Sequence, residues 1–169
     1  MTFNLQIEKL GAHHERAGFS CGIESLDRYL KNQAGQEARR NIAVVYVQLE
    51  DDGKTVAGYY SLSSASIKTG EFPAEIAKKL PKYPRVPATL IGRLAVDKKH
   101  HGKRLGERLL LDGLSRSHEN SSRIASAVVI VDADNEAAAS FYQRYGFELL
   151  PDQTHRLFIQ MSTIEKLYK

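Results

Sequence analysis

The chain has 169 residues, 42% of them apolar and 26% charged, with one cysteine. That length predicts a single domain over 1–169 with a full core, and the lone Cys21 excludes disulfide-stapled scaffolds and cysteine-rich metal modules. The formal charge of +4 is uneven: Ala74–Leu109 carries ten Lys/Arg against three acids, a local net of +7, so the stretch either faces something anionic or is a solvated basic face.

In chain order, Phe3–Ile7 reads as a short strand. Ser25–Arg40 reads as a helix, because Leu26, Tyr29, Leu30, Ala34 and Ala38 recur at spacings of three and four. Asn41–Glu50 is a β-rich strand, Asp51–Lys54 a turn, and Val56–Ser64 the returning strand of a hairpin. Ile67–Pro87 holds four of the five prolines and is expected to be irregular, with a short helix at Ala74–Leu80. Leu90–Val96 (strand), Leu105–Ser117 (helix), Ala125–Val131 (strand), Asn135–Tyr145 (helix) and Leu157–Met161 (strand) follow. A strand–helix–strand centre flanked by a hairpin predicts an α/β (α+β) fold, a central mixed β-sheet flanked by helices. No apolar run is long enough to span a bilayer. The N-terminus has no basic stretch leading into an apolar one, so a cytoplasmic protein without membrane contact is expected.

The basic segment Asp97–Gly106, between a strand and a helix, carries Gly102 and Gly106 around Lys103 and Arg104. The first turn of a helix presents unpaired N–H groups and the positive end of the dipole, which suits an anion. The spacing alone fits a plain strand–helix turn equally well. It is neither a Walker loop nor a dinucleotide fingerprint. The histidines show no ligand spacing; the adjacent pairs His13/His14 and His100/His101 are expected to point apart, and no metal is expected. Cys21 is expected to be a small buried residue rather than a nucleophile.

The loop resembles the acyl-CoA motif of the GCN5-related N-acetyltransferase (GNAT) family, Gln/Arg-x-x-Gly-x-Gly/Ala, laid on His101–Gly106. His101 replaces the Gln/Arg, and Arg104 replaces the middle glycine. A Cβ at position 104 predicts a backbone that avoids positive φ. Asn135–Phe147 is similar to a second motif of the family, Asn-x-x-Ala-x-x-Phe-Tyr-x-x-x-Gly-Phe, at Asn135, Ala138, Phe141, Tyr142, Gly146 and Phe147. The resemblance implies the acyl-CoA N-acyltransferase fold and acetyl-CoA as cosubstrate. It implies cofactor contacts from Leu94, Ala95 and Val96, from His101, Gly102, Lys103, Arg104, Leu105, Gly106 and Glu107, and from Asn135, Ala138, Phe141 and Tyr142. It also implies that Tyr142 protonates the leaving sulfur. Phe141, Tyr145 and Phe147 are expected to be core residues.

Phe19-Ser-Cys-Gly-Ile-Glu-Ser-Leu-Asp-Arg-Tyr-Leu30, Gly58-Tyr-Tyr-Ser-Leu62 and Ile91–Asp97 resemble one bacterial subfamily, the acetyltransferase toxins of toxin–antitoxin pairs. That implies acetylation of the α-amine of aminoacyl-tRNA, a homodimer, and a small ribbon-helix-helix antitoxin. Lys78, Lys79, Lys82, Arg85 and Arg93 lie outside the phosphate loop and are the candidates for the tRNA backbone. An α-amine near pKa ~8 is roughly one-tenth neutral at pH 7, whereas a lysine amine is almost wholly charged. Glu50, Asp51 and Glu71 are the possible but ordinary bases, so an α-amino acceptor is favoured. The alternatives are a small-amine or protein N-terminal acetyltransferase, and a CoA-binding module without catalysis.

Overall fold

The computed structural model describes residues 6–151 and 155–167. Its strands are β1 (Ile7–Lys9), β2 (Val44–Leu49), β3 (Val56–Lys68), β4 (Arg85–Val96), β5 (Val128–Asp132), β6 (Glu148–Leu149) and β7 (Arg156–Gln160). Its helices are α1 (Glu24–Asn32), α2 (Ala34–Arg39), α3 (Ala74–Ala77), α4 (Leu105–Asn120), α5 (Glu136–Arg144) and α6 (Met161–Leu167). The strands form one sheet in the order β1-β2-β3-β4-β5-β7-β6. β4 and β5 run parallel, whereas β1/β2, β2/β3, β5/β7 and β6/β7 are antiparallel, so the sheet is mixed as expected. Among the described residues no helix is long and apolar enough to cross a membrane.

Two compact units are distinguished, one from Met1–Ser63 and Gly92–Gly113, the other from Ser64–Ile91 and Leu114–Lys169. The core of the first gathers Phe19, Leu26, Tyr29, Leu30, Val45, Val47, Tyr59 and Ala95. The core of the second gathers Ile67, Phe72, Val86, Ala88, Val128, Ile130, Leu150 and Phe158.

Several expected boundaries move. The single helix over 25–40 is two helices broken at Gln33 (φ −122°, ψ −36°). Eight residues of continuous helix rise about 12 Å, yet the Tyr29 hydroxyl donates to Glu37 Oε1 at 2.9 Å, a contact made across the break. The strand expected at 3–7 lies largely outside the described residues; β1 begins at Ile7 and pairs with β2. β4 starts five residues early because Pro87, which lacks an N–H, still accepts from the Ala127 N–H (2.9 Å). The helix expected at 74–80 shortens to the single turn of α3, and β5 begins three residues late. β6 and α6 were not expected; α6 opens where the Met161 N–H donates to the Ala127 carbonyl (2.9 Å).

The segment Gly58–Leu62 shows why a short motif can be demanding. A Cβ on Gly58 would lie 2.9 Å from Leu109 Cδ1 and 3.1 Å from the Ala95 carbonyl oxygen. The Tyr59 hydroxyl donates to the Leu26 carbonyl (2.6 Å), the Tyr60 hydroxyl to Asp112 Oδ2 (2.5 Å), and Ser61 Oγ accepts from the Arg93 N–H (3.1 Å). Gly58→Ala therefore overpacks a buried strand. It is expected to lower the free energy of unfolding by about 1–3 kcal/mol in urea titrations, with an unchanged m-value.

Candidate functional site

The loop after β4 is anchored by Asp97, a carboxylate only 3% exposed. Asp97 Oδ2 accepts from the Ser20 N–H (3.0 Å) and Oδ1 from the Lys99 N–H (2.9 Å). Its own N–H donates to the Ala57 carbonyl (2.8 Å), and the Lys98 N–H donates to the Ser20 carbonyl (2.9 Å). The Phe19–Gly22 segment and the basic loop are thus tied by main-chain and carboxylate hydrogen bonds. The sequence reading assigned Asp97 no role. An acid placed directly after a strand and before a lysine run was the available signal.

Beyond this anchor, Gly102 sits at φ 81° and Arg104 at φ 62°. The expectation for Arg104 is corrected: its backbone occupies the left-handed region despite its Cβ. A left-handed non-glycine residue costs on the order of 1–2 kcal/mol, so the loop keeps the geometry for which glycine is usual. The Arg108 N–H donates to the Arg104 carbonyl (3.2 Å), which makes Arg104 the residue that opens α4. The N–H groups of Leu105, Gly106 and Glu107 then belong to the first turn, before intrahelical pairing begins. The Arg104 side chain has no acceptor atom with which to cap them. Left-handed residues next to a helix start form a concavity of N–H groups that suits an anion. The exposed Lys103 and Arg104 add positive charge.

His101 is exposed, and its Nε2–H donates to the Val96 carbonyl (2.8 Å). The Val96 carbonyl is therefore engaged by the residue that replaces the family's Gln/Arg. Leu94 and Val96 are half-buried and Ala95 is buried. Next to them, His100 Nε2–H donates to Glu50 Oε2 (2.9 Å), and Lys99 Nζ lies 3.7 Å from the same oxygen. Glu50 is thereby engaged as a salt-bridge partner. Glu71 Oε2 accepts from the Lys68 N–H (3.3 Å), and Asp51 sits exposed in the β2–β3 turn.

On α5, Asn135 is the N-cap, with its Oδ1 accepting from the Ala138 N–H (2.8 Å). Gly146 (φ 96°) follows the end of the helix, as expected. Tyr142 is 6% exposed and Phe147 is buried, but Phe141 and Tyr145 are half-buried rather than core. The Phe141 and Tyr145 rings meet at 5.1 Å between centroids, and the Tyr142 ring lies 5.3 Å from Phe141 and 5.5 Å from Phe147. Burial pushes the Tyr142 phenol well above its usual range, and the Asp134 charge adds to the effect. The phenol therefore stays protonated across the working pH range.

Of the basic candidates, Lys78, Lys79, Lys82 and Arg85 are exposed. Arg93 is different: its guanidinium lies 3.8 Å from the Tyr29 ring centroid, a cation–π contact. The expectation that adjacent histidines diverge is corrected for His13 and His14, whose ring centroids are 4.0 Å apart in an irregular turn. With Glu8 they place three ligand-type atoms within 4.8 Å of one another. The Gly11 N–H donates to His14 Nδ1 (2.8 Å), so Nε2 carries the proton toward Glu8 Oε1 (2.8 Å). That arrangement is a hydrogen-bonded pair, with the Nε2 lone pair already used.

Residues 41–149 match the acetyltransferase (GNAT) domain family, and the chain belongs to that family. It is 34% identical over 161 residues to the probable toxin TacT of Sinorhizobium fredii, covering 91% of this chain and 89% of that one. It is 32% identical over 149 residues to the tRNA-acetylating toxin of Mycobacterium tuberculosis, covering 88% and 87%. Among solved structures, AtaT complexed with acetyl-methionyl-tRNAfMet is 28% identical with a TM-score of 0.90, over 98% of this chain and 100% of that one. AtaTR bound with AcCoA is 28% identical with a TM-score of 0.85, over 98% of each chain.

Two measurements check this site. Arg104→Gly relieves the left-handed strain and Arg104→Ala does not, while both remove the charge. The glycine variant is expected to be the more stable by about 1 kcal/mol, the reverse of their order at a right-handed helical position. Cys21 is buried, and its N–H donates to Asp27 Oδ1 (2.8 Å). Burial first, and then its interaction with Asp27, push its thiol up to about 11. A raised folded-state value stabilises the fold fully below the unfolded thiol's pKa of about 8.5 and loses that contribution as pH rises through about 11. Relative to wild type, Cys21→Ala is expected to lose its stability deficit over that window, measured by urea unfolding.

Proposed function

We propose that this protein moves the acetyl group of acetyl-CoA onto the α-amino group of an aminoacyl-tRNA, and so acts as a translation-blocking toxin in the cytoplasm. The observation that carries the reading is similarity over nearly the whole chain to a tRNA-acetylating toxin. The fold agreement with AtaT complexed with acetyl-methionyl-tRNAfMet supports it.

In this reading the N–H groups of Gly102–Glu107 and the first turn of α4 receive the CoA pyrophosphate, with Lys103 and Arg104 adding charge-assisted hydrogen bonds. The left-handed backbone of Arg104 supports the assignment, because the substitution leaves the loop geometry intact. Main-chain groups of Leu94–Val96 serve the pantetheine arm and the thioester carbonyl, and a strand N–H stabilises the oxyanion. Asn135 and Ala138 act by setting the start of α5, and Phe141 supports the Tyr142 ring.

The neutral amine attacks the thioester carbon, the C–N bond forms and the C–S bond breaks. Tyr142 donates a hydrogen bond and then its proton to the departing sulfur, and the proton shed by the attacking nitrogen restores the phenol. The engagement of Glu50 and Glu71 with other partners favours an acceptor whose amine is partly neutral at pH 7, as an α-amine is. Lys78, Lys79, Lys82 and Arg85 serve the tRNA phosphates, whereas Arg93 is held on Tyr29. A homodimer and a small ribbon-helix-helix antitoxin complete the reading. AtaT has been solved bound to the C-terminus of the antitoxin AtaR, at 25% identity over 98% of this chain.

Labelled acetyl-CoA offered in parallel to charged tRNA, free amines and peptides is expected to label the charged tRNA. Tyr142→Phe is expected to lower kcat by about 100-fold or more with little change in the KM for acetyl-CoA. Expression without an antitoxin is expected to stop bacterial growth for wild type but not for the variant. Turnover confined to small amines or peptides would contradict the reading.

A further inference from the structure

From the end of α3 to the first residue of β4 the chain reads Lys78-Lys-Leu-Pro-Lys-Tyr-Pro-Arg85, and within it Tyr83 is 70% exposed. The backbone beneath that ring is fixed. Thr69 Oγ1 donates to the Tyr83 carbonyl (2.6 Å), and the Thr69 N–H donates to the Pro84 carbonyl (3.1 Å). The Arg85 guanidinium donates to Ser66 Oγ (3.1 Å) and keeps further N–H donors. Pro84 restricts Tyr83 to extended conformations. The result is an exposed aromatic face on a pinned backbone, with the exposed cations Lys78, Lys79, Lys82 and Arg85 within five residues of it along the chain.

Cations alone would suit any polyanion, and duplex phosphates need nothing more. A flat ring among them adds a surface for a planar group, and unpaired nucleotides offer bases that stack on aromatic side chains while their phosphates pair with Lys and Arg. We propose that Tyr83 is a stacking platform for an unpaired base of a single-stranded RNA end, with Lys82 and Arg85 on the flanking phosphates. The proposal rests on the aminoacyl-tRNA reading above and deepens it, since the acceptor end of a charged tRNA is single-stranded. It makes Tyr83 a positioning residue for the acceptor strand.

The test measures binding of the intact protein to a fluorescent single-stranded RNA ending in CCA, to the same RNA with 2-aminopurine near its end, and to an RNA duplex. Tyr83→Ala is expected to weaken single-strand binding about five- to 150-fold, the range of one base–aromatic stack, with Tyr83→Phe within about twofold of wild type. Its salt slope is expected to match wild type, whereas Lys82→Ala lowers the slope by about one. Aminopurine fluorescence is quenched by wild type and Tyr83→Phe and not by Tyr83→Ala. Ring exposure predicts an unchanged unfolding midpoint for both tyrosine variants. Equal single-strand affinity of wild type and Tyr83→Ala overturns the stacking role alone, provided charged tRNA is still acetylated. Loss of duplex binding to the same extent also overturns it. A wild-type protein that binds no RNA overturns both this role and the tRNA reading.

Discussion

One buried carboxylate holds the basic loop in place. Asp97 receives N–H groups from Ser20 and from Lys99, and its own N–H is taken by β3 through Ala57. Both oxygens are thereby used, and the carboxylate is 3% exposed, so it relies on these N–H groups rather than on water. Two stretches that look independent in sequence, the Phe-x-Cys-Gly opening and the loop after β4, are one hydrogen-bonded joint. Loop glycines and lysines make an anion site only when the loop starts from a fixed point, and Asp97 supplies that point.

The same economy runs through the Gly58–Leu62 segment. The glycine admits Leu109 and the Ala95 carbonyl at distances that a Cβ would force apart, and the next three side chains each reach a different element. Tyr29 joins in from α1: its hydroxyl is bound to Glu37 and its face to the Arg93 guanidinium. Burial, reinforced by Glu37, raises that phenol to about 12, so it stays neutral beside the cation. Arg93, a basic candidate outside the phosphate loop, thus has its guanidinium held over the Tyr29 ring. The basic candidates with exposed side chains are Lys78, Lys79 and Lys82, between α3 and β4, and Arg85, at the start of β4.

The mixed sheet, the hairpin and both family motifs were legible because they rest on local patterns: β-rich runs bounded by turns, glycines at helix ends, and an asparagine N-cap. What was illegible depends on tertiary contact. The break at Gln33 is spanned by the Tyr29–Glu37 contact, and no periodicity records it. β6, two residues long, carries too little pattern to register. The left-handed Arg104 was misread because sterics argue against it locally, whereas the start of α4 and the joint at Asp97 outweigh a cost of on the order of 1–2 kcal/mol. His13 and His14 converge because they lie in a turn, where the rule for regular elements does not apply. Tyr83 was passed over because counting charges ignores the aromatic between them.

The central claim is that main-chain amides at the start of α4 receive the CoA phosphates. Hydrogen–deuterium exchange of the intact protein, with and without saturating acetyl-CoA, reads those amides directly. The account predicts slowed exchange in peptides spanning residues 98–108, with the β2–β3 hairpin unchanged. Unaltered exchange across 98–108 in protein that is demonstrably saturated would contradict it.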